Sequence, residues 1–280
     1  MNFRLFILLT GLTLLASVPV PNAAGEAFAI ADWKPIYRGV ELTRGTRETT
    51  NGPEAAVALR IDLKEESLRF FATEDNGDAP LETDGENAAQ FLKRNSLQLA
   101  INTAFYTPCC RYFGSEPLDL IGFAVSQGKK LSSWSSAKPV AITLSRDHRV
   151  DFVRSEPRDL TDLWFACAGM EVLIDGKPAT KQNDNRHPRT AAGVSRDGRH
   201  LILLLIDGRQ PKHSIGTSLY DTARWLLALG AHDGINLDGG GSAILVTEGG
   251  LSGAKILNRP SSGIPRVNAA HLGISALPLR

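Results

Sequence analysis

Apolar residues fall in short runs bounded by Gly, Asp, Asn or Pro, the pattern of strands in a sheet-rich fold. Such runs occupy Ala55–Leu63, Leu68–Thr73, Leu97–Asn102, Ile121–Ser126, Glu171–Ile174, Leu201–Ile206, Gly234–Leu237 and Ala243–Val246. Leu201–Ile206 is apolar at every position, as a strand buried on both faces must be. Two segments carry helical spacing instead. Gly85–Arg94 sets Ala88, Phe91 and Leu92 on one face. Thr217–Leu229 sets Leu219, Ala223, Leu226 and Leu227 in a stripe, opens with Ser218 and Asp221 in a capping pattern, and runs into Gly230, suited to a left-handed cap. The polar stretches Thr43–Glu54, Thr180–His187 and Glu248–Pro265 read as loops. Many strands and two helices predict an α+β fold, with a mixed multi-stranded sheet and few helices. With no repeat or biased linker to divide them, residues 25–280 are expected to form a single domain.

The N-terminus departs from this pattern. Arg4 precedes the apolar run Leu5–Ala16, and the small-residue, proline-containing stretch Ser17–Gly25 follows. Residues 1–24 therefore read as a secretory signal peptide, cut near Ala23 or Ala24. The run falls short of the about 20 apolar residues a membrane span needs. The mature protein is expected to be secreted or periplasmic, with no stable membrane anchor after cleavage. Export permits disulfides. Of the three cysteines, Cys167 is expected to bridge to Cys109 or Cys110.

Composition narrows the function classes. The 280 residues are 42% hydrophobic and 22% charged, ordinary values for a globular chain. Lys and Arg number 31 against 30 Asp and Glu, so the charge balance gives no reason to expect a nucleic-acid partner.

Four segments carry chemistry. In Gly234–Ser242 (GINLDGGGS) an apolar strand runs into Asp238, then Gly239, Gly240, Gly241 and the hydroxyl of Ser242. Successive glycine N–H groups can form an anion-binding nest, and Asn236 adds an amide. In Leu201–Arg209 a buried strand ends in Asp207 and Arg209. In Arg186–Gly193 (RHPRTAAG), Arg189 offers a planar fork suited to phosphate, His187 an imidazole and Thr190 a hydroxyl. In Ala100–Tyr106 (AINTAFY), a strand exit carries Asn102 and the aromatics Phe105 and Tyr106.

In this order, these segments resemble the phosphodiester glycosidase family. The matching pieces are Asn102 with Phe105 and Tyr106; Arg189, Thr190, Ala191 and Gly193; Asp207, Gly208 and Arg209; Asn236 to Ser242 after a helix; and, less sharply, Arg266 to Asn268. Where the family carries glycines before the aromatic, this chain has Thr103 and Ala104. The resemblance implies an exported hydrolase that cleaves a sugar-1-phosphodiester between anomeric carbon and phosphate oxygen, on a cell-envelope or exopolysaccharide glycan. Asp238 and Asp207 would be the catalytic carboxylates. Asn102, Phe105, Arg189, Thr190, Arg209, Asn236, Gly239, Gly240, Gly241 and Ser242 would bind substrate. The leaving group is a weak base, so cations and N–H donors matter more than a general acid. No cofactor is required on this reading. The same carboxylates could hold a divalent cation, and the metal question stays open. Two other classes use the same residues: a non-catalytic glycan-binding protein, and a phosphodiesterase cleaving P–O.

Overall fold

The apolar runs become strands of three sheets in the computed structural model, which describes residues 27–250 and 253–279. The expected signal peptide lies outside the described residues. The largest sheet has 13 strands. Its middle is built from Val40–Thr49, Gly52–Asp62, His200–Ile206, Arg189–Val194, Asp233–Asn236 and Leu163–Ile174, side by side in that order. A five-stranded sheet runs Ala254–Ile256, Leu245–Glu248, Leu99–Asn102, His271–Ser275, Arg69–Ala72. A small sheet joins Thr83–Asp84, Pro117–Leu120 and Tyr106–Thr107.

Burial explains the apolar runs. In His200–Ile206, Leu201, Leu203 and Leu205 enter the main core. Ile202, Leu204 and Ile206 face the other way, onto Trp225 and Leu226 of the helix Leu219–Ala228. The main core also takes Leu99, Ile101, Leu245 and Leu272 from the five-stranded sheet, so the two large sheets pack face to face. The outer face of the five-stranded sheet, at Ala100, Ile244 and Val246, is covered by Phe91 and Leu92 of the helix Ala88–Arg94. The layers run helix, sheet, sheet, helix. Each central strand is apolar on both sides because each has a layer on both sides.

The helices start where their caps are. Ser218 Oγ accepts from Asp221 N at 3.0 Å. Asn87 Oδ1 accepts from the amides of Ala89 and Gln90, while Gln90 Oε1 accepts from Asn87 N at 3.0 Å, a reciprocal capping box.

Four expectations are corrected. Strand directions, expected to be mixed, are antiparallel in every ladder among the described residues; neither helix serves as a crossover between parallel neighbours. Thr43–Glu54 is not a loop but the turn and flanks of the hairpin Val40–Thr49 and Gly52–Asp62. Its inward charges, Arg47 at 3% and Glu54 at 0% exposure, break the alternation that would have marked a strand. Glu248–Pro265 contains the short strand Ala254–Ile256. Finally, Cys109 and Cys110 bridge each other, and Cys167 is a free buried thiol. Cys167 lies mid-strand in the core, paired with Ala124 and Ile142, out of reach of the exposed segment that holds the other two. Burial pushes its thiol up to about 12.

Candidate active site

Register decides which residues meet. Arg189 pairs with Ile206 and Ala191 with Asn236, so the start of one strand and the ends of two others share one sheet edge. At the facing edge of the five-stranded sheet, Asn102 pairs with His271 and Ile101 with Leu245. The segments leaving these ends bond to one another. Leu237 N donates to Thr190 O at 2.8 Å, Asp238 N to Thr103 O at 2.9 Å and Gly240 N to Pro188 O at 2.8 Å.

Asn102 is the clamp at this junction. Its Nδ2 donates to Asp238 O at 2.6 Å, and its Oδ1 accepts from Thr190 Oγ1 and Ile244 N, each at 3.0 Å. Asn102 and Thr190 are 1% and 0% exposed, so they position the site from beneath and do not line it. Asn236 is equally buried, and its Nδ2 donates to Leu237 O at 2.8 Å.

Asp207 is also otherwise employed. Its Oδ2 meets His213 Nε2 at 2.8 Å, and its Oδ1 accepts from Asn258 Nδ2 at 3.2 Å and Arg259 N at 2.9 Å. Oδ1 thus pins the 258–259 segment and Oδ2 holds His213, so both carboxylate oxygens of Asp207 are hydrogen-bonded within the protein. His213 and Asn258, its partners, carried no motif signal.

Asp238 is the carboxylate that remains, half-buried at the mouth. Burial raises it to about 6, against the Ser242 hydroxyl, Arg266, Lys138 and the Gly239 N–H, which favour the charged form. Neither Arg266 nor Lys138 forms an ion pair with it among the described residues. The two cations therefore flank the carboxylate without closing on it. Lys138 Nζ stands 3.5 Å from the centroid of the Phe105 ring. The lysine is pushed down by burial, with Asp238 acting in the opposite sense. Nothing in its sequence setting (SSAKPV) marks it as a site residue.

The glycine turn forms, though less of it is open than the sequence suggests. Gly240–Ser242 is one 3₁₀ turn. The Gly240 N–H is spent on Pro188 O, and Ser242 N donates to Gly239 O at 3.1 Å. The glycines instead permit close approach. A Cβ on Gly239 would stand 2.6 Å from Pro188 O. Gly240, at φ +60°, lies beneath Arg209, whose guanidinium would be 3.2 Å from a Cβ there. A Cβ on Gly241 would collide with the Arg266 guanidinium. The turn is thus a seat for two arginines as much as a nest of amides.

Beyond Arg209 lie two further basic groups. Arg209 Nη2 is 3.4 Å from His187 Nδ1. Arg189 is buried, its Nε on Thr217 O and its Nη2 on Asn185 O, each at 3.0 Å. Burial, then the neighbouring Arg209, brings it down to about 10. Tyr112 lies against Arg266, with 5.8 Å from guanidinium to ring. The segment carrying the Cys109–Cys110 bridge is tied to the same place, Val267 N donating to Arg111 O at 3.0 Å. Among the described residues, the one trio of side chains spaced to share a metal ion is Asp175, His232 and Asp233. It sits at the far end of the strand Asp233–Asn236 from Asp238.

A family model described as phosphodiester glycosidase matches residues 95–275. A bovine N-acetylglucosamine-1-phosphodiester alpha-N-acetylglucosaminidase is 44% identical over 165 residues, covering 50% of this chain and 31% of the bovine protein. The match thus spans about a third of that relative's length. Among solved structures, the zebrafish N-acetylglucosamine-1-phosphodiester alpha-N-acetylglucosaminidase catalytic domain, auto-inhibited by its pro-peptide, superposes with a TM-score of 0.66 at 19% identity, covering 89% of this chain and 88% of that one. A putative exported protein of Burkholderia pseudomallei gives 0.60 at 14% identity, covering 93% of this chain and 100% of that one. A hypothetical protein of Synechocystis gives 0.63 at 14%, covering 85% and 62%. At these identities the superpositions speak for the fold.

Proposed function

Because this chain belongs to the phosphodiester glycosidase family, we propose that it is an exported hydrolase that cleaves a sugar-1-phosphodiester of a cell-envelope or exopolysaccharide glycan between the anomeric carbon and the phosphate oxygen. The observation that carries the reading is the isolated Asp238 carboxylate, set among Lys138, Arg266 and Arg209 with no closed ion pair.

In the proposed complex the scissile phosphate lies over the Gly240–Gly241 turn, between Arg266 and Arg209. The sugar lies toward Phe105 and Lys138. The anomeric carbon then comes to Asp238. As the C–O bond breaks, its electron pair passes to the phosphate oxygen, where the two guanidiniums stabilise the added charge. The ionised Asp238 stabilises the oxocarbenium-like carbon. Water adds its oxygen to that carbon and gives up a proton to the Asp238 carboxylate, which releases it to solvent, leaving free sugar and a phosphate monoester. Asn102, Thr190 and Asp207 hold the frame. No step requires a metal: both Asp207 oxygens are already hydrogen-bonded, and Asp238 is ringed by cations that oppose a divalent ion.

Hydrolysis of a synthetic N-acetylglucosamine-1-phosphodiester in oxygen-18 water tests the reading. Label in the sugar is the expected outcome. Label in the phosphate would mean P–O cleavage, and binding without product would leave a glycan-binding protein.

A further inference from the structure

The ring of cations is larger than one phosphodiester needs. Lys138, Arg189, Arg209 and Arg266 form no ion pair with any carboxylate among the described residues. Their partners are of other kinds: the Phe105 ring for Lys138, two backbone carbonyls for Arg189, the His187 imidazole for Arg209 and the Tyr112 ring for Arg266. Against these four stand one carboxylate, Asp238, and one negative charge from a bound phosphodiester. This contrasts with the exposed arginines elsewhere, where Arg199 pairs with Asp62, Arg154 with Glu171 and Arg94 with Glu86. Unpaired cations held close together are costly unless an anion joins them.

Their order along the site says where that anion belongs. Asp238 is coupled to both Lys138, which stands over the Phe105 ring, and Arg266, which lies over Gly241. Arg209 lies one glycine from Arg266, over Gly240, and next to it stand His187 and Arg189. Burial, then Arg189 and Arg209, lowers His187, which favours the neutral imidazole, and its ring nitrogen can accept a hydrogen bond from the Arg209 fork. With sugar at Phe105 and Lys138 and phosphate at Arg266, the remaining positive charge faces the far side of the phosphate, where the leaving group extends.

Resting on the hydrolase reading above, we propose that the natural substrate carries a second acidic group on its leaving side, a phosphate or carboxylate a few atoms beyond the scissile phosphate, received by Arg209 in the field of Arg189. A chain of sugars linked by phosphodiesters has this chemistry at every repeat, as does a leaving group ending in an acid. Arg209 is suited to receive it, since its fork has donors to spare beyond the one turned to His187. Lys138 belongs to the sugar side and takes no part.

The test compares two synthetic substrates with the same N-acetylglucosamine-1-phosphodiester head. One leaving group ends in a hydroxyl and the other in a phosphate monoester at the same position. Wild-type kcat/KM should favour the dianionic substrate by about 10- to 100-fold, the scale of one charge-assisted hydrogen bond. The preference should shrink at high salt. Arg209→Gln should slow both substrates and bring their ratio towards one, while Arg209→Lys should keep part of it. Equal wild-type kcat/KM for the two, or a ratio unchanged in Arg209→Gln, overturns the inference even if both are hydrolysed. No hydrolysis of either substrate overturns the hydrolase reading instead. If Arg209→Gln proves unstable, the wild-type ratio and its salt dependence decide the matter. Replacing the terminal phosphate by a carboxylate shows which acid the position prefers.

Discussion

Two sets of charged side chains border the segment 185–189, and they are built in opposite ways. Beneath it, Arg47 Nη1 meets Asp221 Oδ1 at 2.9 Å and Glu54 Oε2 at 3.3 Å; Arg186 Nη1 meets Glu54 Oε1 at 2.9 Å; Arg224 Nη1 meets Asp221 Oδ1 at 3.1 Å. Trp225 Nε1 adds a hydrogen bond to Glu54 at 2.7 Å. Every one of these carboxylates is matched. Above the segment, Asp238, Lys138, Arg209 and Arg266 lie near one another without closing a pair. Closed pairs fix the fold, because removing a partner strands a charge. The open set has its attraction unspent and can give it to a ligand.

The largest expected effect breaks the closed set. Asp221→Ala should destabilise the protein by about 3–5 kcal/mol, the cost of orphaning buried partners. Thermal or denaturant unfolding measures it, and loss of activity should track loss of fold. Burial pushes Asp221 up, but Arg47, Ser218 and Arg224 together outweigh this and the net shift is down. Its contribution is therefore present at neutral pH and fades as pH falls through the folded value.

Asp238→Asn should do the reverse. The rate on a sugar-1-phosphodiester should fall by at least about 10²–10³, as when one electrostatic stabiliser is lost. The melting temperature at pH 7 should hold or rise. Asp238 is raised to about 6, so its favourable contribution to stability exists below its unfolded value of 3.8 and is lost as pH rises through about 6. At pH 7 the charge costs stability, and Asn removes that cost. A lower melting point with unchanged kcat would make Asp238 a turn residue.

The wild-type pH profile sharpens this. If the ionised carboxylate does the work, kcat/KM should fall tenfold per unit below about 6. The groups facing Asp238 are Lys138, Arg266, Tyr106 and Cys167. Lys138→Met removes a cation that favours the carboxylate, so the acid limb should move to higher pH. A limb unmoved by that change would detach Lys138 from Asp238.

The smallest effect concerns the two cysteine settings. Cys167→Ser should lower stability by about 1–3 kcal/mol through an added buried hydroxyl, leaving kinetics alone. Replacing both Cys109 and Cys110 by Ser should leave stability nearly unchanged and raise KM by less than about tenfold, through looser packing beside Tyr112 and Arg266. Kinetics and melting curves on the same samples separate the two.

What could be read in the sequence follows from what each residue does. His200–Ile206 was legible because both faces are apolar, and Leu219–Ala228 because Ser218 caps it in the expected way. The hairpin across Thr43–Glu54 was not, because its inward positions include Arg47 and Glu54 and its partners lie far along the chain. In the site, Asp238 stood out by its glycines. Motif spacing could not tell lining from support: Asn102, Thr190, Asn236 and Asp207 look like ligands in sequence and are clamps in space. Lys138 shows the opposite failing. Its role depends on the Phe105 ring and on Asp238, each many residues away, so no local pattern announces it.

The Asn102 clamp has one more consequence. Asp238 rises from the edge of the 13-stranded sheet, yet its amide and carbonyl are held by Thr103 and Asn102 of the five-stranded sheet's exit. The proposed catalytic geometry is therefore a seam between two layers. Each layer alone carries only one lip of it, so neither half of the sandwich can be borrowed as a working module. An inhibitor gripping both lips would weld the layers together, and its binding would register as resistance of the whole molecule to unfolding.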